Sequence, residues 1–104
     1  MRLFKLMYKE LGENYQLTQV LEELAEAQQA ICKYKKHVEK LQLLGKSDVN
    51  VYETIDNMAE ELADVQLTTD GLIYHLGIKD KVNKIYKQKE ERTYNRIIKF
   101  INDK

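Results

Sequence analysis

The sequence predicts an all-α protein, a bundle of three long helices plus a short N-terminal helix, forming one domain over residues 1–104 that works as an oligomer. Three observations carry that expectation. Proline is absent and glycine occurs four times, where average usage would give about twelve of the two together. A chain so poor in breakers can run long helices. Its apolar residues recur at steps of three, four or seven, which is one helical face and not the alternation of a strand. Finally, 104 residues make a single small domain that buries only about two-thirds of its surface. Such a thin bundle keeps apolar edges that a partner copy would cover.

In chain order, Arg2 to Leu11 forms the short helix, before Gly12. The first long helix carries Leu17, Val20, Leu21, Leu24, Ile31, Val38 and Leu41 on one side. It stops at Leu43-Leu44-Gly45-Lys46-Ser47-Asp48, where Gly45 supplies a left-handed cap and Ser47 or Asp48 caps the next helix. The second long helix carries Val51, Ile55, Met58, Leu62, Val65, Leu72, Ile73 and Leu76. Gly71 sits inside it at a cost of roughly 1 kcal/mol against alanine, and Gly77 ends it. The third places Ile78, Val82, Ile85, Tyr86, Ile97 and Phe100 along one side.

Composition narrows the function. Seventeen basic residues balance seventeen acidic ones, which disfavours a general nucleic-acid binder. Lys5 and Lys9 interrupt the first residues, leaving no apolar run for a signal peptide or membrane span. The single cysteine, Cys32, has no internal disulfide partner, so a reducing, cytoplasmic setting is expected. The neutral total hides a division. Ser47 to Asp70 holds seven acids and no Lys or Arg, whereas Lys79 to Lys99 holds eight bases and three acids. Ordinary solvated faces would explain that division alone.

A short internal repeat is more specific. Leu21-Glu22-Glu23-Leu24-Ala25-Glu26-Ala27-Gln28 resembles Ala59-Glu60-Glu61-Leu62-Ala63-Asp64-Val65-Gln66. Acids three apart sit on adjoining helical turns, which pairs Glu23 with Glu26 and Glu61 with Asp64. Each pair begins roughly 80–100° from an apolar stripe centred near Leu24 or Leu62. Helices packed antiparallel through those stripes would turn both pairs toward one cleft. Two such charges at 4 Å repel by about 4 kcal/mol at an effective dielectric of 20, so protonation, basic partners or a metal must relieve them. An all-oxygen set suits Mg²⁺, with Mn²⁺ as a substitute, and disfavours Zn²⁺. Magnesium commonly shares its shell with substrate phosphates, which points to phosphate chemistry. A single Glu-Glu-x-x-Glu is commonly a solvated helix face; the repeat in matching register is what argues for more. On the third helix, Lys89 falls where the apolar seam predicts an apolar residue, with Arg92 at its edge. The lysine either snorkels to water or, with Arg92, meets phosphates.

At these residues the chain resembles the MazG-like all-α nucleoside triphosphate pyrophosphohydrolases. The family pattern of Glu-Glu-x-x-Glu followed by Glu-x-x-Asp stands here as Glu22-Glu23-Leu24-Ala25-Glu26 and Glu61-Leu62-Ala63-Asp64, with Lys89-Glu90-Glu91-Arg92 in the place of a basic C-terminal pattern. The likeness runs from Leu17 to Arg92. It implies a homodimer or homotetramer with sites formed partly between subunits, cleaving a nucleoside triphosphate to monophosphate and pyrophosphate with Mg²⁺. It further implies that Glu23, Glu26, Glu61 and Asp64 hold the metal and that Glu22 orients or deprotonates the attacking water. Lys89 and Arg92 would bind phosphates, and Tyr86 is the favoured stacking partner for the base. The 34 residues between Glu26 and Glu61 exceed the family spacing. The extra length, around Lys35 to Tyr52, would reshape the base pocket or the subunit interface.

Two rivals come from other classes. A non-catalytic helical protein-interaction module would leave the acids as surface charge. A di-iron carboxylate bundle needs Glu-x-x-His pairs, but Tyr34 and Leu72 stand three residues before His37 and His75. His75, His37 and Cys32 are expected to be structural or surface residues.

Overall fold

A left-handed Gly77 (φ 66°) and a loop opening on left-handed Gly45 (φ 72°) cut the chain into three helices, α1 (Arg2–Leu44), α2 (Val51–Leu76) and α3 (Lys79–Asn102). The computed structural model describes residues 2–104, and no strand occurs among them. At the end of α2 the Ile78 N–H donates back to the Ile73 carbonyl at 3.2 Å, closing the helix in a Schellman-like cap that only a positive φ at Gly77 permits. The start of α2 differs from expectation. Asn50 is the N-cap, its Oδ1 accepting from the Glu53 N–H at 3.1 Å. Ser47 Oγ instead accepts from the Val49 N–H at 3.2 Å, and Asp48 is drawn to Lys40 Nζ at 2.6 Å. That pairing holds the Asp48 carboxyl below its usual range.

α1 runs from Arg2 to Leu44, but its backbone is not helical at Gly12 (φ 78°, ψ 171°), so two helical stretches meet there across a kink, the first of them the turns expected before Gly12. Glycine lets the chain change direction there without the strain an L-residue would meet. The kink lays the first turns across α2. Phe4 is buried, its ring centroid lies 5.7 Å from that of Tyr74, and a Cβ built on Gly71 would meet Phe4 Cδ1 at 3.5 Å and Met7 Cε at 3.6 Å. These are ordinary van der Waals separations. Gly71→Ala is therefore expected to raise stability by about 0.5–1 kcal/mol, the helix-propensity difference. A thermal melt showing a loss instead would mean that Phe4 and Met7 cannot tolerate the added methyl.

α1 and α2 run antiparallel, since Glu13 meets His75 at one end and Glu26 lies beside Glu61 near the middle. Their seam on α1 is Gln16, Val20, Glu23, Ala27 and Ala30, at alternating steps of four and three. This corrects the expected packing through stripes centred on Leu24 and Leu62, which remain 46% and 43% exposed. Ala27 and Ala30, at 5% and 2%, bring the helices together with little side-chain bulk. That rotates the contact by about one residue's 100° toward the acids. Leu17, Leu21, Leu24 and Ile31 of α1, with Ile55 and Leu62 of α2, are left exposed on the flank away from them.

α3 is not bundled with the hairpin. It meets α2 only weakly, meets α1 nowhere, and contains no buried residue. The expected three-helix bundle is thus a two-helix hairpin with a projecting arm. α3 leaves α2 through the two-residue turn Gly77–Ile78 and contacts the hairpin only near that turn. The radius of gyration is 18.3 Å, where a compact chain of this length would have about 13 Å. Among the described residues no helix is long and apolar enough to cross a membrane.

A three-carboxylate cluster on the helical hairpin

The seam that brings α1 and α2 together carries carboxylates at its middle. One oxygen each of Glu23, Glu26 and Glu61 lies within 4.8 Å of the others. Glu23 and Glu61 are half-buried, and the Oε2 atom of each is shielded from solvent without a hydrogen-bond partner. Burial pushes the Glu23 carboxyl above its usual range, and the charges of Glu26, Asp64 and Glu61 add to the shift. Burial likewise raises Glu61, followed by the close approach of the Glu26 carboxyl and the charges of Asp64 and Glu60. The helix register explains the convergence. Glu23 and Glu61 occupy seam positions, while Glu26 and Asp64, three residues on, stand on the same flank one turn away.

Exposed acidic groups often cluster in proteins without an ion, so the exposed Glu26 and Asp64 carry little weight alone. The two shielded, unpartnered oxygens carry more. Leaving such atoms unpaired is costly, and a hard cation with oxygen ligands would satisfy both while cancelling the repulsion. The donor set therefore fits Mg²⁺ or Mn²⁺.

The other expected site residues are distributed differently. Glu22 is exposed, outside the triad, and accepts one long hydrogen bond from Gln19 Nε2 at 3.4 Å. Lys89 and Arg92 are exposed on α3 and form no ion pair among the described residues. Arg92 lies on an open surface with Gln88, Asn95, Arg96 and Lys99. Tyr86 is 63% exposed on the same helix. One chain thus brings three of the four expected acids together, leaves Asp64 outside that group, and does not bring the basic pair to them.

Sequence reasoning missed a second polar group near the kink. The ring of His75 stacks on that of Tyr8, centroids 3.6 Å apart, and its Nε2 lies 3.1 Å from Glu13 Oε1. Gln16 is 3% exposed, with neither amide atom partnered. The four-three spacing from Gln16 through Glu23 to Ala30 was the available signal, masked by the louder leucine stripe beside it. No family profile, curated protein or solved structure matches the chain.

The raised carboxyls have a consequence for stability. A carboxylate whose folded value lies above its unfolded one binds protons more readily in the native state. Its contribution is complete below about pH 4.5 and is lost as pH rises through the folded value. In chelator, the wild type is expected to lose thermal stability between pH 4.5 and neutrality relative to the Glu23→Gln/Glu61→Gln variant. Parallel pH profiles for the two proteins would mean that these carboxyls carry no folded-state repulsion.

Proposed function

We propose that the chain is a metal-dependent nucleoside triphosphate pyrophosphohydrolase, cleaving an NTP or dNTP to the monophosphate and pyrophosphate. The observation that carries this reading is the convergence of Glu23, Glu26 and Glu61 within 4.8 Å, with shielded, unpartnered oxygens on Glu23 and Glu61. With Asp64 they would hold Mg²⁺, or Mn²⁺ in its place. Bound there, the ion would neutralise charge on the phosphate oxygens and favour ionisation of water. The chain's own residues supply the rest. Glu22 lies next to the cluster without being consumed by it and can accept the proton of the attacking water. Lys89 and Arg92 bind the phosphates, Arg92 through two parallel N–H bonds and Lys89 as a point charge. Because one chain keeps them apart from the acids, that assignment requires α3 of a neighbouring copy. The exposed ring of Tyr86 offers a face to the base. Catalysis is then positioning plus charge neutralisation.

The working form is a homodimer or homotetramer. The exposed row of Leu17, Leu21, Leu24 and Ile31 beside Ile55 and Leu62 supports it, because a hairpin with one apolar flank gains by burying that flank. A reducing cytoplasm suits the exposed free thiol of Cys32. The test is pyrophosphate release from a panel of canonical and modified NTPs and dNTPs, with Mg²⁺ and then Mn²⁺. Turnover of one group is expected. No turnover by folded, metal-supplied protein would favour the second reading, a non-catalytic helical interaction module, for which the unpacked surface of α3 is the supporting observation.

A further inference from the structure

We infer that the last turns of α3 lie flat on an anionic lipid bilayer, with their apolar side set into the headgroup boundary. From Tyr94 to Ile101, all five large apolar side chains fall on one arc. At about 100° per residue, Phe100, Ile97, Ile101, Tyr94 and Ile98 span about 160°, and Asn95, Arg96 and Lys99 fill the remaining side. Glu90 and Glu91 bound this patch upstream, and Asp103 follows it. The five apolar side chains are open to solvent, from Ile98 at 39% to Tyr94 at 65%. Among the described residues nothing covers them, because α3 has no buried residue and meets the hairpin only near its first turns.

The occupant is set by charge and by width. Arg92 to Asn102 holds three bases and no acid. Arg96 stands at the rim of the arc, about 40° from Phe100. At the far end the Lys104 ammonium sits 4.9 Å over the Phe100 ring. Cations rimming an apolar face match anionic headgroups above acyl chains, since long basic side chains reach back to the headgroups while the apolar face sinks. A nucleic acid would take the cations and leave five apolar side chains in water. A protein groove that reads anchors at i, i+3, i+4 and i+7 would seat Tyr94, Ile97, Ile98 and Ile101 and leave Phe100 outside. A bilayer surface accepts the full width. Contact is with that surface only, for among the described residues no helix is long and apolar enough to cross a membrane. The stretch from Ser47 to Asp70, with seven acids and no Lys or Arg, is repelled by the same surface, so the hairpin stays off it. Lys89 and Arg92 both fall outside the arc, which leaves them free for phosphates. The lipid contact does not depend on the nucleotide reading. Failure to hydrolyse any nucleotide would leave it standing.

Flotation of the full chain with lipid vesicles tests it. The wild type is expected to float with vesicles of equal parts phosphatidylcholine and phosphatidylglycerol and to stay behind with phosphatidylcholine alone. High salt should weaken the binding by screening. Ile97→Asp/Ile101→Asp, at two exposed positions, should lower it by at least about tenfold while helix content by circular dichroism is retained. Arg96→Gln/Lys104→Gln should lower it by about 25-fold, about fivefold for each cation near an anionic surface. Undiminished flotation of the Ile97→Asp/Ile101→Asp variant would show attraction by charge alone and overturn the apolar contact. Wild-type protein that stays off the anionic vesicles would overturn it outright, whether α3 is then found against a second copy, a partner protein or a nucleic acid.

Discussion

Replacing Glu61 by glutamine is expected to lower metal-dependent pyrophosphate release by about a hundredfold or more and to leave the fold intact. The substitution keeps the side chain's size and removes one of three charges held within 4.8 Å of one another. Two effects of opposite sign should accompany it. Without metal, the variant should melt higher than wild type, because burial and the charges of Glu26, Asp64 and Glu60 already disfavour the ionised Glu61 carboxyl. With metal, the wild type should gain stability through linkage and the variant should gain little. Glu10→Gln, an exposed change on α1 outside the cluster, should alter neither melt nor rate. Misfolding cannot produce this combination, since a misfolded variant would not melt higher. Undiminished turnover in Glu61→Gln would remove the cluster from the chemistry, whatever the metal does to the melt.

The helices were legible because they depend on local signals. The scarcity of breakers, the apolar periodicity and the positive-φ glycines at 45 and 77 are written residue by residue, and the three long elements appear where those signals fall. The meeting of Glu23, Glu26 and Glu61 was legible too, since a repeat in matching register must bring its acids to one flank when two helices pair antiparallel. The face that pairs was not. Leu24 and Leu62 announce the larger hydrophobic gain, but within one chain the seam runs through Ala27 and Ala30 and draws Gln16 and Glu23 with it. Periodicity measures how much a face wants burial and says nothing about which partner buries it. The same limit applies to α3, whose stripe predicts a third wall of a bundle, yet none of its residues is buried in its own chain. The Gly12 kink belongs to another class: glycine permits a break in direction, and only the contacts of Phe4 with α2 decide that the helix is resumed beyond it.

Phe4→Ala is expected to cost about 3–5 kcal/mol and to lower the melting temperature by more than about 10 °C. Among the described residues only Phe4, Val20, Ala27 and Ala30 are buried apolar side chains, and Phe4 is the largest of them, seated on Gly71 and beside Tyr74. It is also the contact that holds the segment before the kink. Losing it should free Tyr8 from its stack on His75 and expose the His75–Glu13 pair, so amide exchange should rise together over the first turns of α1 and the last turns of α2. Glu23 lies about five helical turns from Phe4 along α1 and is placed by the seam around Val20 and Ala27. At a temperature where the variant is still folded, metal should therefore raise its stability as it does in wild type. A cost below about 1 kcal/mol would mean that the N-terminal turns are not anchored through Phe4. A full cost together with a lost metal effect would mean that the kinked segment and the carboxylate seam form one cooperative unit, and that holding Glu23 against Glu61 depends on a clasp at the far end of the hairpin.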